Sequence, residues 1–310
     1  DLDWALKKLL SRLNITSKES VVRQYDHEVQ GATVVKPLVG VRNDGPSDAA
    51  VIWPLEMQEK GSYRGIVVSN GINANYGLID TYCMAAANLD EAIRNAVAVG
   101  ANPNQIAVLD NFSWSSSDDE HRLGQLVRAC QALYDNAIRF GTPFISGKDS
   151  MFNDYRGKLD GQDVKISVPP TLLISALGII PNVRKSMTMD FKSPGDLICV
   201  LGHTARELGG SEYYAMMGEE LEGKPWIGMN APWVDAVTAA FRYRKLHRAI
   251  RNGYVSAVHD ISDGGLGVAL AEMAFSGGYG AGVRLGNLGT GLERDDSILF
   301  SESQSRFVVT

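Results

Sequence analysis

Two amphipathic stretches, Tyr82–Val99 and Leu123–Phe140, sit between the short apolar runs Gly65–Ser69, Gln105–Asp110 and Pro143–Ser146. Each stretch is followed by a glycine, Gly100 or Gly141. Apolar residues every three to four positions over this length predict helices, and the glycine supplies the left-handed residue that closes a helix C-terminus. Apolar runs of four to six residues bounded by turn formers predict strands. Strand and helix alternate, so the chain is expected to be α/β. A strand at Ala49–Trp53 and the buried run Thr171–Ile180 (TLLISALGII) extend the same region. The alternation resumes with a strand at Asp196–Gly202, a helix at Trp233–Asn252, a strand at Val255–Asp260 and a helix at Leu266–Phe275. The connections are long and several strands look antiparallel, which favours mixed sheets over a doubly wound parallel sheet.

At 310 residues the chain exceeds the usual single-domain size, and two domains are expected. The stretch from residue 181 to 196 carries two prolines and a change of character, which sets the boundary there. Residues 1–38 read as an amphipathic helix (Trp4, Leu6, Leu9, Leu10, Leu13) and a polar connector, 39–182 as a first α/β domain, and 183–310 as a second, truncated one. The chain opens on a helical pattern without an initiator methionine and stops on Phe307–Thr310, so a longer parent polypeptide is expected. A net charge of −6 argues against broad attraction to nucleic acid or anionic membrane. No apolar run approaches the roughly 20 residues of a membrane span, and the expected location is the cytoplasm. Cys83, Cys130 and Cys199 are odd in number and widely spaced, and they read as reduced core residues.

Four constellations can carry chemistry, and each has a plainer alternative. Asp48, in GPSDAAV, stands at a strand entrance where a carboxylate can hold a metal, or it simply forms the turn after Pro46. Glu91 and Asn95 are i and i+4 on one helix, and their oxygens suit a hard cation such as magnesium, although solvated helix faces produce the same pair. HDISDGGL, His259–Leu266, ends a strand at Asp260 and opens a helix that Ser262 or Asp263 can cap. Free amides at such a helix start suit phosphate, while His259 can equally be structural. SGKDSM, Ser146–Met151, is not a Walker A loop, because the glycine spacing fails and Asp149 follows Lys148. A lysine and hydroxyl on a glycine-bearing turn can still meet a phosphate.

Taken together and in order, QYDHEVQGATVVKPLVG, PSDAAV, EAIRN, SGKDSM, HDISDGGLGVALAEMAF and the terminal SESQSRF resemble the synthetase region of phosphoribosylformylglycinamidine synthase. The resemblance covers the chain from about Val21 onward. In that family two fused copies of the aminoimidazole ribonucleotide synthetase fold pack around a pseudo-twofold axis. The histidine-containing and Gly-rich segments of the first copy do not occur here, so the resemblance is to the second copy alone, with catalytic residues expected on the first. It implies magnesium on Asp48, Glu91, Asn95 and Asp260, holding ADP or ATP, with nucleotide contacts from Ser47 and Ser262. Gly147, Lys148 and Ser150 are implied phosphate contacts. Lys148 is no metal ligand, since an ammonium has no free lone pair.

For the whole enzyme the resemblance implies ATP-dependent amidation of formylglycinamide ribonucleotide in purine biosynthesis. The implied partners are the first repeat of the same polypeptide, a fused or separate glutaminase that releases ammonia, and the ribonucleotide substrate. Two competing readings stay open: a complete ATP-using enzyme of the same fold that builds its site as a homodimer, and a non-catalytic scaffold with a vestigial site.

Overall fold

A computed structural model describes all 310 residues. The chain begins with α1 (Leu2–Leu10) and a single turn, α2 (Glu19–Val22). There follow β1 (Thr33–Val35), β2 (Leu38–Val39), β3 (Gly45–Pro46), β4 (Ala50–Ile52), α3 (Leu55–Glu59), β5 (Gly65–Gly71) and α4 (Ala74–Gly77). The long helices α5 (Thr81–Ala98) and α6 (Glu120–Phe140) flank β6 (Ile106–Ser113). Next come β7 (Phe144–Ser150), the hairpin β8 (Asp154–Leu159) and β9 (Gln162–Ser167), and β10 (Thr171–Ile180). The remainder is β11 (Cys199–Leu201), α7 (Glu212–Glu222), α8 (Ala236–Asn252), β12 (Val258–Asp260), α9 (Gly265–Gly277), α10 (Asp295–Phe300) and β13 (Phe307–Val309). None of the helices is long and apolar enough to cross a membrane.

One sheet of six strands runs β1-β4-β5-β10-β6-β7, and a second of three runs β11-β13-β12. Every pairing in them is antiparallel except β6 with β7, joined by the crossover helix α6. The large sheet is therefore mixed and the small one antiparallel, within an α/β chain. Alternation along β5 and β10 buries Val67, Leu172, Ile174 and Ala176 on one face. That face carries α5, whose Ala92 carbonyl accepts from the Ser69 hydroxyl at 2.7 Å. Asp80 starts α5 by accepting from the amides of Tyr82 and Cys83, and Gly141 at φ 75° ends α6.

One apolar core of 51 buried residues joins the elements of both sheets. Its hinge point is Tyr243 of α8, whose ring stacks on Phe140 of α6 (centroids 6.0 Å apart) and meets Phe307 of β13 edge-on at 5.5 Å. A smaller cluster seats Ala5 and Leu9 of α1 against Tyr213, Met216, Val268 and Phe300. The N-terminal helix thereby closes over α7 and α9.

Several expectations need correcting. The first helix stops at Leu10, and Leu13, expected on its apolar face, is 85% exposed. The connector expected over residues 1–38 contributes β1 to the large sheet. Cys130 and Cys199 are exposed and Cys83 is half-buried, so the thiols are free without being core residues. SGKDSM forms no turn: its first five residues continue β7, paired with β6 as far as Ser150.

Gly71 ends β5 against α5, where a β-carbon would stand 2.7 Å from the Ala92 amide nitrogen and nearer still to the Asn88 carbonyl oxygen. Both obstacles are helix backbone, which cannot swing aside. Gly71→Ala is expected to lower the unfolding free energy by about 1–3 kcal/mol, the usual cost of overpacking. Urea denaturation followed by circular dichroism measures it.

Candidate functional site

The two sheets bring distant segments to one pocket of about 580 Å³. Its walls are the loop through Asp44–Asp48, Asn70 at the end of β5, Glu91 and Asn95 on α5, His259 and Asp260 at the end of β12, Ser262 and Asp263 just after it, Glu272 on α9, and the N-terminal stretch from Asn14 to Lys18. Asp48, Glu91, Asn95 and Asp260 therefore share one cavity, with Ser47 and Ser262 beside them.

Asp48 is locked by β12. Its Oδ1 accepts from the Asp260 amide at 3.0 Å and from His259 Nδ1 at 2.8 Å. Nε2 of the same imidazole lies 3.0 Å from Glu272 Oε2. Burial opposes a charge on His259, yet Asp48 and Glu272 on either side outweigh it and hold its pKa well above the ordinary histidine range. Both ring nitrogens then donate. Burial likewise works against the Asp48 carboxylate, but the imidazolium holds its pKa below the usual value.

The other acids are less well matched. Burial pushes Asp260 up to about 6, although Arg94 Nε donates to its Oδ2 at 3.1 Å. Burial, with Glu212 next in weight, takes Asp263 to about 7, and its one donor is Asn73 Nδ2 at 3.1 Å. Glu91 is raised well above the carboxylate range by burial, against the pull of Arg94, and accepts from the Ile72 amide at 2.9 Å. Asn95 donates to the Asn70 carbonyl at 3.1 Å, while its own Oδ1 is buried without a partner. Six carboxylates (Asp44, Asp48, Glu91, Asp260, Asp263, Glu272) thus face three cations, Lys18 and His259 in the lining and Arg94 buried behind Asp260. The raised pKa values of Glu91, Asp260 and Asp263 let protons offset part of that surplus. An oxygen-rich, electron-rich cavity of this kind fits a hard divalent cation, which takes carboxylate and amide oxygens and displaces the protons. A carboxylate oxygen of Asp48 and one of Asp260 lie within 4.8 Å of each other, while the doubly protonated His259 between them offers no lone pair.

The remaining candidates lie elsewhere. Lys148 pairs with Asn111 on the sheet face turned away from α5, at the exposed edge β7, and its ammonium donates to Ser150 Oγ at 2.6 Å. Gly147 gives room to the Asp110 side chain, which a β-carbon would strike. Gly147, Lys148 and Ser150 are thus not brought to the pocket, because extended pairing replaces the expected phosphate-binding turn. Ser262 and Asp263 do not cap α9 either. Gly264 takes that position at φ 78°, and its amide is already bound by Glu302 Oε1 at 2.8 Å.

Sequence reasoning left His259 as a structural alternative, took Asp263 for a cap, and passed over Glu272. His259 and Glu272 stand 13 residues apart on a strand and a helix, a separation that no motif spacing registers.

Residues 193–310 match the family model described as AIR synthase related protein, C-terminal domain. Over 310 residues the chain is 36% identical to phosphoribosylformylglycinamidine synthase subunit PurL of Alkaliphilus metalliredigens, covering 100% of this chain and 38% of that protein. PurL of Methanothermobacter marburgensis is 36% identical over 311 residues, covering 100% and 39%. The chain belongs to the phosphoribosylformylglycinamidine synthase family. It spans less than two-fifths of the length of these two relatives. The fold agrees with solved structures at low identity. T. maritima PurL complexed with FGAR superposes with a TM-score of 0.66 at 19% identity, covering 98% of this chain and 47% of that one. AaThiL complexed with AMPPCP and TMP gives 0.53 at 12%, covering 96% and 86%.

The His259 sandwich makes a direct prediction. A histidine whose pKa is raised on folding contributes stability that is complete below its unfolded value and is lost as pH rises through the folded value. Glu272→Gln removes one of the two carboxylates, so the His259 pKa should fall. Titration of the imidazole Hε1 resonance reads that shift.

Proposed function

We propose that this chain is the second of two AIR-synthetase-like repeats of a PurL-type synthase and that its pocket holds a magnesium–adenine nucleotide. Residues 39–182 and 183–310 would form the two domains of the repeat. The single observation that carries this reading is the convergence of Asp48, Glu91, Asn95 and Asp260, drawn from three separate segments, on one cavity with more carboxylates than cations. The orphaned Asn95 Oδ1 supports it, since a bound cation would give that oxygen its missing partner.

The whole enzyme would convert formylglycinamide ribonucleotide, ATP and glutamine-derived ammonia to the amidine in the cytoplasm. Its partners would be the first repeat, which carries the catalytic residues, and a glutaminase. T. maritima PurL is known complexed with FGAR, ATP and ADP, and as part of PurLQS. These names support the assignment of substrate, nucleotide and assembly.

In the pocket, magnesium would screen the charge of the polyphosphate. The chain's own contribution is to supply oxygens from rigid elements: Glu91 and Asn95 from mid-helix, Asp260 from the strand end, and Asp48 clamped by His259. Ser47 and Ser262 stand at the same cavity, where their hydroxyls would meet the nucleotide. Gly147, Lys148 and Ser150, on the exposed β7 edge, would be left for a phosphate held against the neighbouring repeat.

Identification of the nucleotide released on denaturing the purified protein tests the reading, and calorimetry with Mg–ADP quantifies it. Asp48→Asn and Asp260→Asn should each weaken Mg–ADP binding by about tenfold or more, equivalent to about 1.4 kcal/mol. Wild-type protein that neither releases nucleotide nor binds Mg–ADP would overturn the proposal. Because Asp260 and Asp263 carry raised values of about 6 and about 7, cation binding must expel protons. Affinity should therefore fall as pH drops from 8 to below 6. Calorimetry in two buffers of different ionisation enthalpy should show net proton release at pH 7.

A further inference from the structure

We infer that Arg94 is the positioning residue of this pocket. It pins one oxygen of Asp260 and fixes the spacing between the donors on α5 and those at the end of β12. The inference builds on the cation-site reading above, but its structural test is independent of it.

Arg94 is 1% exposed and lies on α5 between Glu91 and Asn95. Its guanidinium reaches three separate elements. Nε donates to Asp260 Oδ2 at 3.1 Å, while Nη1 donates to Asp90 Oδ2 at 2.8 Å and to Gln304 Oε1 at 2.7 Å. Asp90, one turn earlier on the same helix, is itself immobilised. It accepts from the Ser305 amide and hydroxyl, each at 2.9 Å, and from the Tyr243 hydroxyl. The cation is thus anchored from behind by a saturated carboxylate and presents its remaining edge to Asp260.

Asp260 Oδ2 is consumed by that contact, whereas Oδ1 accepts no hydrogen bond and stands 3.9 Å from His259 Nδ1, on the Asp48 side. A carboxylate with one oxygen tied and the other open is oriented for a cation as a freely rotating one is not. The planar guanidinium fork suits this task, and a lysine would meet these three acceptors only as a flexible point charge. Buried ion pairs add little net stability compared with apolar packing of the same volume. The geometry given to Asp260 is the effect that distinguishes this pair from an ordinary rivet between helices.

The test compares wild type with Arg94→Lys, the paired variant Asp90→Asn/Arg94→Met, and Tyr243→Phe. The paired variant removes the Asp90 charge with that of Arg94, so Asp90 is not left as a lone buried ion, and it guards against loss of folding in Arg94→Lys. Tyr243→Phe loosens the Asp90 end alone. Calorimetric titration of Mg2+ at fixed ADP is expected to give a half-saturating concentration raised about tenfold or more in both Arg94 variants, the usual scale for loss of a supporting partner. Tyr243→Phe, which leaves Asp90 both of its Ser305 donors, should lower thermal stability and shift that concentration less than the Arg94 variants do. Crystal structures of the Arg94 variants should show the Asp260 carboxylate turned from its present position.

An Arg94 variant with Asp260 unmoved, or with wild-type Mg2+ dependence, overturns the inference. So does a Tyr243→Phe variant whose Mg2+ dependence shifts as much as that of Arg94→Lys. If wild type binds no Mg–ADP but Asp260 rotates in the variants, the nucleotide reading fails and the positioning role stands.

Discussion

One oxygen of Asp48 accepts both the amide of Asp260 and the imidazole of His259, from residues 212 and 211 positions along the chain. Removing a carboxylate from water costs several kcal/mol, even after the protein relaxes around it. The cost is recovered here only while β12 stays extended to its last residue, because that conformation presents the Asp260 amide and the His259 ring to the same oxygen. Pairing of Asp260 with Phe307 across β12 and β13 enforces this. The loop before β4 and the end of β12 are therefore held together, and the other walls of the pocket are placed around that junction.

What keeps the junction in place is largely apolar. Tyr243 packs its ring between Phe140 and Phe307 while its hydroxyl reaches Asp90, so one side chain links the core to the ion-pair network under the pocket. Burial of large side chains of this kind contributes roughly 1.5–3 kcal/mol each, whereas the Arg94–Asp90 and Arg94–Asp260 pairs come close to cancelling their own desolvation. Stability and geometry are thus divided between different groups. The aromatic stack holds the two sheets together, and the charged network determines how the donors on α5 face those on β12.

Much of this architecture was legible in the sequence because burial writes a period into it. The apolar run Thr171–Ile180, the three-to-four spacing along Tyr82–Val99 and the terminal glycine Gly141 each report a local environment. The hairpin β8–β9 was silent, since it is exposed or half-buried along its whole length and leaves no such period. The extension of β7 through Lys148 escaped for a related reason: glycine, lysine and aspartate read as a turn, and only pairing with β6 keeps them extended. The oxygen-bearing set came from ordered motifs and the resemblance they carry. His259 and Glu272 lay beyond that method, because a histidine between two carboxylates is a property of three segments at once.

The acids of the pocket can be compared with a buried acid of purely structural character in the same molecule. Glu302 accepts from the Tyr76 hydroxyl at 2.6 Å, the Gly264 amide at 2.8 Å and the Glu212 amide at 3.0 Å, and so both its oxygens are occupied. That is the expected arrangement for a carboxylate whose task is to tie chain segments together. Glu91, Asp260 and Asp263 each accept from a single group, and the Asn95 amide oxygen accepts from none. Such under-satisfied oxygens weaken a fold, and an apolar filling of the same space would cost less. Where a chain leaves oxygens unsatisfied together in one cavity, while satisfying a more deeply buried acid nearby, the cavity presents those oxygens to partners from solution.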